Sequence, residues 1–304
     1  MCTNCGCQGD KATVVDLQTG DTAAIPVLHQ HEGDVLHSHS HGSHHHADNY
    51  DGPNHHAHDH HGPHHHAHEH HGPHGAPPSA GVTIVDMETR ILAKNDALAA
   101  KNRAWFAGRE ILALNLVSSP GAGKTTLLER TIRDLAGELP LYVIEGDQAT
   151  AKDGERIRSA GASVVQVNTG TGCHLNADMV ARAVPMLKPG SGAVVLIENV
   201  GNLVCPALFD LGERAKVVMF SVTEGEDKPL KYPYMFRAAT IVILGKVDLL
   251  PHLDFSVAEA IANVRRVNPE AKILQISSQT GEGTAGWYDW LRSELSSARQ
   301  SAFG

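Results

Sequence analysis

No apolar run in this 304-residue chain approaches the roughly 20 residues that a bilayer-spanning helix needs, so no membrane partner is expected. The opening stretch MCTNCGCQGD has neither the basic nor the apolar region of a secretion signal. Cysteine is scarce, five in all, and three of the five crowd together at Cys2, Cys5 and Cys7. That spacing is no disulfide framework for a chain of this length, and a cytoplasmic protein with reduced thiols is expected. Positive charge is also in short supply, with 25 Lys and Arg against 34 Asp and Glu. Residues 1–80 hold one basic residue, Lys11, and nine acidic ones, while the remainder is balanced to within one charge. Neither part offers a broad basic footprint for phosphate backbones, which argues against a nucleic-acid partner.

What the chain has in excess is histidine, and 20 of its 22 histidines lie between His29 and His74. GPNHHAHDHH (52–61) is followed at once by the near-repeat GPHHHAHEHH (62–71). Aliphatic residues are almost absent there, so nothing offsets the entropy of ordering the backbone. Residues 1–80 therefore read as a mostly disordered metal-binding arm. After Gly81 the texture changes. Residues 86–106 read as an amphipathic helix with Ile91, Leu98 and Trp105 seven apart on one face. Seven short apolar, β-branched runs follow, at 111–117, 141–145, 163–167, 193–198, 216–222, 240–245 and 272–277. Helical stretches at 125–137, 153–160, 176–187, 256–267 and 284–298 separate most of them. Runs apolar on both faces and alternating with helices predict one α/β domain over 81–304, a doubly wound, mostly parallel sheet.

SSPGAGKTT (118–126) follows the first of these strands and opens the next helix. In that setting backbone N–H groups and a helix N-terminus converge on an anion. Gly121 and Gly123 let phosphate oxygens approach the backbone, and Ala122 and Thr126 complete the cradle. Lys124 reaches the β- and γ-phosphates, and the Thr125 hydroxyl ligates Mg2+. The strict pattern has Gly at 118, where this chain has Ser. ENVG (198–201) leaves another buried strand, so Glu198 is placed to hold Mg2+ through water and the Gly201 N–H to meet a γ-phosphate. Asp147, closing VIEGD, is the second candidate for the Mg2+ shell; alone, either acid reads equally well as a helix cap or a surface charge. In GKVD (245–248) the Asp248 carboxylate suits the guanine N1 and N2 donors that adenine lacks, and the Lys246 stem packs on the base. SSQTGEG (277–283), with Ser278, supplies backbone contacts to the base. In this order the four elements have the layout of a GTPase, with Lys124, Thr125, Asp147 and Glu198 as the expected catalytic set.

Three sets of soft ligands accompany the nucleotide motifs. Cys2, Cys5 and Cys7 put three sulfurs within seven residues, a set that suits Ni2+ in square-planar geometry or Zn2+ in tetrahedral geometry. The histidine run is a store of imidazoles for Ni, Zn or Cu. TGTGCHLNAD (169–178) sets Cys173 and His174 in a loop after a strand, and GNLVCP (201–206) brings Cys205 four residues past Gly201. A cysteine attached to a nucleotide sensor would move with it, so this third set is a candidate internal metal site. His252 reads as a surface histidine.

MCTNCGC, SSPGAGKTT, VIEGD, TGTGCHL, IENVGNLVCP, GEDKPLKYP and GKVDLL resemble the HypB family of hydrogenase nickel-incorporation GTPases. The resemblance covers the start of the chain and essentially all of 82–304. It implies a slow P-loop GTPase that dimerises on nucleotide or metal binding and helps load Ni2+ into the large subunit of [NiFe]-hydrogenase. It also implies a HypA-type nickel- and zinc-binding partner. By resemblance, Cys173, His174 and Cys205 match the family's GTPase-domain metal site, near a dimer interface, and Cys2, Cys5 and Cys7 its high-affinity nickel motif. Lys228, in GEDKPLKYP (225–233), corresponds to a contact with nucleotide across the dimer. One departure stands out: position 245 is Gly where GTPases usually carry Asn. Two other readings share these features, a protein that chiefly stores nickel on its histidine arm and a urease-type nickel-insertion GTPase, which lacks MCTNCGC.

Overall fold

The computed structural model describes residues 12–25, 84–148 and 150–301; Cys2, Cys5, Cys7 and the histidine run lie outside them. Among the described residues, nine strands form one sheet in the order β2-β1-β5-β4-β6-β3-β7-β8-β9. They are β1 Thr13–Asp16, β2 Thr22–Ala24, β3 Leu112–Ser118, β4 Leu141–Asp147, β5 Ser163–Asn168, β6 Val194–Glu198, β7 Ala215–Ser221, β8 Ile241–Gly245 and β9 Lys272–Ile276. From β5 to β9 every pairing is parallel. These seven strands match the seven apolar runs, and the doubly wound sheet is as expected. β3, β6, β7 and β8 are buried at every position, because helices cover both faces.

The helices are α1 Ile84–Ala107, α2 Lys124–Asp134, α3 Lys152–Ser159, α4 Ala177–Leu187, α5 Lys228–Lys231, α6 Pro233–Arg237, α7 Val257–Val267 and α8 Thr284–Ser301. One face of the sheet packs on α2, α3 and α8, around Leu127, Ile157 and the fully buried Trp287. The Trp287 indole N–H donates to Thr131 Oγ1 at 3.0 Å, so its polar edge is satisfied inside the core. The opposite face packs on α1 and α4 and, towards β8, on α6 and α7. β3 lies between β6 and β7, and the chain leaves it first towards β4 and later towards β7. That reversal of winding opens a crevice at the carboxyl ends of the strands, where open α/β sheets bind ligands.

Two expectations need correction. Residues 13–24 do not belong to an arm without structure: β1 pairs antiparallel with both β2 and β5, with Thr13 opposite Ala24 on one side and Asn168 on the other. Val14 is fully buried between them, and TVVD is a short β-branched run that the surrounding polar sequence masks. The buried stripe of α1 is also rotated from the predicted face. Asn95, Ala99, Asn102 and Phe106 are buried, whereas Ile91 is exposed and Leu98 and Trp105 are only half-buried. The helix docks largely through amides. Asn95 donates to Asp210 O at 2.8 Å and accepts from Ala177 N at 2.9 Å. Asn102 donates to Ala177 O at 2.8 Å and Leu211 O at 3.0 Å.

Asn102→Ala would remove both of these side-chain hydrogen bonds from a buried site. It is expected to destabilise the fold by about 1–3 kcal/mol, read as a lower urea midpoint at unchanged m-value. An unchanged midpoint would mean that these amides do not hold α1 in place.

Candidate nucleotide and metal site

The site is built from loops that follow strand ends. Ser118 to Gly123 turn from β3 into α2, with Gly121 at φ 74° and Gly123 at φ 104°, conformations that favour glycine. Gly123 is the residue before the first turn of α2, so the free N–H groups of that turn face the crevice. Lys124 folds back and donates to Ser118 Oγ at 2.9 Å. Burial lowers its pKa, and the nearby Glu198, Asp153, Glu145 and Glu224 carboxylates oppose that shift. The Thr125 hydroxyl donates to Glu198 Oε1 at 2.8 Å, joining the end of β6 to the start of α2.

Glu145, which the sequence reading missed, stands beside Glu198 as its register partner across β4 and β6. Among the described residues, Glu145 Oε2 and Glu198 Oε2 are the buried side-chain oxygens or nitrogens that lack a hydrogen-bond partner. Burial, reinforced by the neighbouring Glu198, pushes Glu145 up to about 9. Burial likewise raises Glu198 to about 7, and Lys124 opposes that rise. A buried, unsatisfied carboxylate oxygen next to a threonine hydroxyl is the donor chemistry of a hard divalent cation, so these residues fit Mg2+. An acid at the end of an apolar run, as in LYVIE, was the available signal for Glu145. Asp147, the second candidate acid, closes β4. Its carboxylate accepts from Gln148 N at 2.7 Å and from Thr150 N and Oγ1 at 2.9 and 2.7 Å, so it organises its own loop while Thr125 bonds to Glu198.

Beyond the phosphate loop lies a cleft of about 240 Å3, whose walls include Ala122, Gly123, Thr126, Lys246, Asp248 and Ser278. All six were expected from sequence; Gln279 at the same wall was not. Asp248 accepts a hydrogen bond from the buried Ser277 hydroxyl at 2.6 Å, which fixes its carboxylate at the rim. A Cβ on Gly123 would lie 3.9 Å from Lys246 Cε, so the lysine stem runs over the phosphate loop. A Cβ on Gly245 would lie 3.4 Å from the Ala122 carbonyl, an ordinary contact distance. Position 245 therefore abuts the phosphate loop at a distance that admits a Cβ.

The segment 199–205 carries the phosphate loop to the soft ligands. A Cβ on Gly201 would come within 3.0 Å of Pro120 Cα, so this glycine lies directly on the phosphate loop. Asn199 accepts from Leu175 N at 3.0 Å, and Asn202 donates to Cys173 O at 3.3 Å. Cys205 begins a single 3₁₀ turn with Pro206. The outcome is a cluster of Cys173, His174 and Cys205 whose ligand atoms all lie within 4.8 Å of one another. His174 Nδ1 lies 3.5 Å from Cys173 Sγ, and the ring packs on Phe209 at 4.1 Å between centroids. Burial pushes the imidazole down to about 4, so it is neutral near pH 7, the form that binds a metal. Two thiols and an imidazole suit Ni or Zn and leave a fourth position open. Phe209 and the asparagines gave no sequence signal of their own.

The family description CobW/HypB/UreG, nucleotide-binding domain, matches residues 112–275. The hydrogenase maturation factor HypB of Rhizobium leguminosarum bv. viciae is 59% identical over 218 residues, 72% of each chain. The chain belongs to the HypB family. The crystal structure of HypB from Archaeoglobus fulgidus is 39% identical, with a TM-score of 0.63, and covers 67% of this chain and 99% of that one. The structure of HypB from Helicobacter pylori in complex with nickel is 37% identical, also with a TM-score of 0.63, and covers 67% of this chain and 96% of that one. Membership in HypB makes this a hydrogenase maturation factor of the P-loop GTPase class. Among the described residues no helix is long and apolar enough to cross a membrane. In this HypB chain Lys228 pairs with Glu224 at 3.2 Å, and Glu224 also accepts from the phosphate-loop Ser119 hydroxyl. Within one chain, therefore, the lysine is linked to the phosphate loop through a carboxylate.

Gly245→Asn introduces an amide that can reach the phosphate loop. One added hydrogen bond is worth about 1 kcal/mol, so GDP is expected to bind about fivefold more tightly by isothermal titration. Weaker binding would show that the contact with Ala122 tolerates no side chain.

Proposed function

We propose that this chain is a nickel metallochaperone that uses GTP hydrolysis to help insert nickel into the [NiFe]-hydrogenase large subunit. The observation that carries the reading is the short span from Glu198 to Cys205. One segment touches the Thr125 hydroxyl, the phosphate loop and the soft-ligand cluster. In this reading Gly121, Ala122, Gly123, Lys124, Thr125 and Thr126 bind the phosphates, and Lys246, Asp248 and Ser278 hold the guanine. Thr125 and Glu198 would hold Mg2+, which supplies charge neutralisation at the phosphates. Water attacks the γ-phosphorus, the bond to the β-γ bridging oxygen breaks, and GDP leaves with that oxygen. Lys124 and the backbone donors of the loop stabilise the charge, and the Gly201 N–H reads the γ-phosphate. Turnover is expected to be slow, as suits a switch.

Nickel is the cargo at Cys173, His174 and Cys205, and zinc competes for the same donors. Val204 and Leu208 are each 59% exposed on either side of Cys205. An apolar rim around an incomplete ligand set supports homodimerisation, with the second copy beside the metal. A HypA-type protein and the large subunit are the proposed partners in the cytoplasm. Cys2, Cys5 and Cys7 capture nickel tightly, and the twenty histidines store it. That histidine count favours one second reading, a protein whose main task is storage. Deletion of 29–75 should then collapse nickel storage while maturation in ample nickel survives, and loss of maturation at high nickel would mean that the arm acts in delivery itself.

Steady-state GTP hydrolysis by the full chain, with nickel in excess of the histidine run, tests the primary reading. Lys124→Ala is expected to lower turnover by about 100-fold or more. Nickel is expected to change wild-type turnover and to have no effect in Cys205→Ala. Turnover indifferent to nickel in the wild type would leave two unconnected activities and overturn the proposed switch.

A further inference from the structure

Behind the soft-ligand cluster runs a polar chain that neither nucleotide nor metal chemistry requires. Asn115, in the middle of β3, is fully buried in an otherwise apolar strand. Its Oδ1 accepts from Asn199 Nδ2 at 3.2 Å, and its Nδ2 donates to Glu213 Oε1 at 3.1 Å. Glu213 also accepts from Leu211 N at 2.7 Å and lies 3.7 Å from Lys216 Nζ. Lys216, the register partner of Asn115 on β7, donates to Pro206 O at 2.9 Å and Phe209 O at 3.4 Å. Phe209 packs on His174, and Asn199 accepts from Leu175 N, so the chain closes on both sides of the cluster. Glu213 and Lys216 are each 8% exposed.

A buried ion pair is a poor source of stability, since well-packed apolar residues of the same volume serve as well or better. A fully satisfied buried network instead fixes one arrangement, and losing one member leaves the others unpaired. Here the members fixed are the two segments that carry the ligands. Leu175 follows His174, and Pro206 follows Cys205. Asn199 follows Glu198, so the Thr125–Glu198 contact is connected through Asn199 to Asn115 and, by way of Glu213, to Lys216. Resting on the nickel-switch reading above, we propose that Asn115, Glu213 and Lys216 are positioning residues. They hold the Cys205–Phe209 segment in register with the nucleotide sensor and so transmit the nucleotide state to the nickel site.

The test uses the full chain with Cys2, Cys5 and Cys7 replaced by Ser. Cys173 and Cys205 are then the remaining thiols of the five cysteines in the chain, so thiolate-to-nickel charge-transfer absorption reports this cluster alone. Nickel is titrated past saturation of the histidine run, with Mg2+ and either GDP or a non-hydrolysable GTP analogue. In this background the midpoint is expected to differ by about fivefold or more between the two nucleotides. Lys216→Met and Asn115→Ala, which cut the chain at separate points, are expected to reduce the difference below about twofold, and Lys216→Arg to retain it. Variants are compared at matched far-ultraviolet circular dichroism, so a folding defect is recognised and the other cut is read. A full nucleotide difference in both cut variants overturns the relay while leaving the site intact, and so does no difference in the background. If the background gives no band that Cys205→Ser removes, the nickel-site reading itself falls.

Discussion

The hydrogen bond from Thr125 to Glu198 is the contact on which the rest of the site depends. It joins the end of β6 to the first turn of α2, beside the point where the sheet reverses its winding. In doing so it places a buried carboxylate near Lys124. Keeping Glu198 there is costly, because its second oxygen has no partner and Glu145 stands beside it. An arrangement with unsatisfied buried acids holds only because β4, β6 and β3 are packed on both faces by the two large apolar clusters. The core thus keeps in place a buried acidic pair with two oxygens left unsatisfied.

Most of the parallel sheet was legible in the sequence, because buried parallel strands are short, β-branched and apolar at every position. The candidate phosphate loop stood out for a related reason: backbone approach to phosphates demands glycine, lysine and a hydroxyl at fixed spacing. Cys173, His174 and Cys205 were legible as residue types, and their convergence within 4.8 Å is a tertiary fact. What escaped was polar and buried. Glu145, Asn115, Asn199 and Lys216 sit in or beside apolar runs and look like interruptions until their partners from distant strands are known. The rotated face of α1 escaped for the same reason. Its buried stripe carries Asn95 and Asn102, whose satisfaction by Asp210, Ala177 and Leu211 has no sequence pattern.

Amides recur throughout this structure in one role. Asn95, Asn102, Asn199 and Asn202 each reach a backbone group of the loops at 173–177 or 202–211. A side-chain amide offers two donors and an acceptor without a charge, so it can brace an irregular loop at low desolvation cost. The cysteine-bearing loops lack regular secondary structure beyond one 3₁₀ turn, and asparagines take the place of ladder hydrogen bonds there.

The small hairpin closes one edge of the sheet. Thr13 lies opposite Asn168, five residues before Cys173, and Ala24 lies opposite Thr13. The two ends of the hairpin therefore lie side by side at the carboxyl end of β5. With β4 on its other side, β5 is paired along both edges, so the strand that leads into the cysteine loop presents no open ladder of N–H and C=O groups. The loop to Cys173 is thus anchored by an interior strand, and the exposed edge is moved out to the three-residue β2.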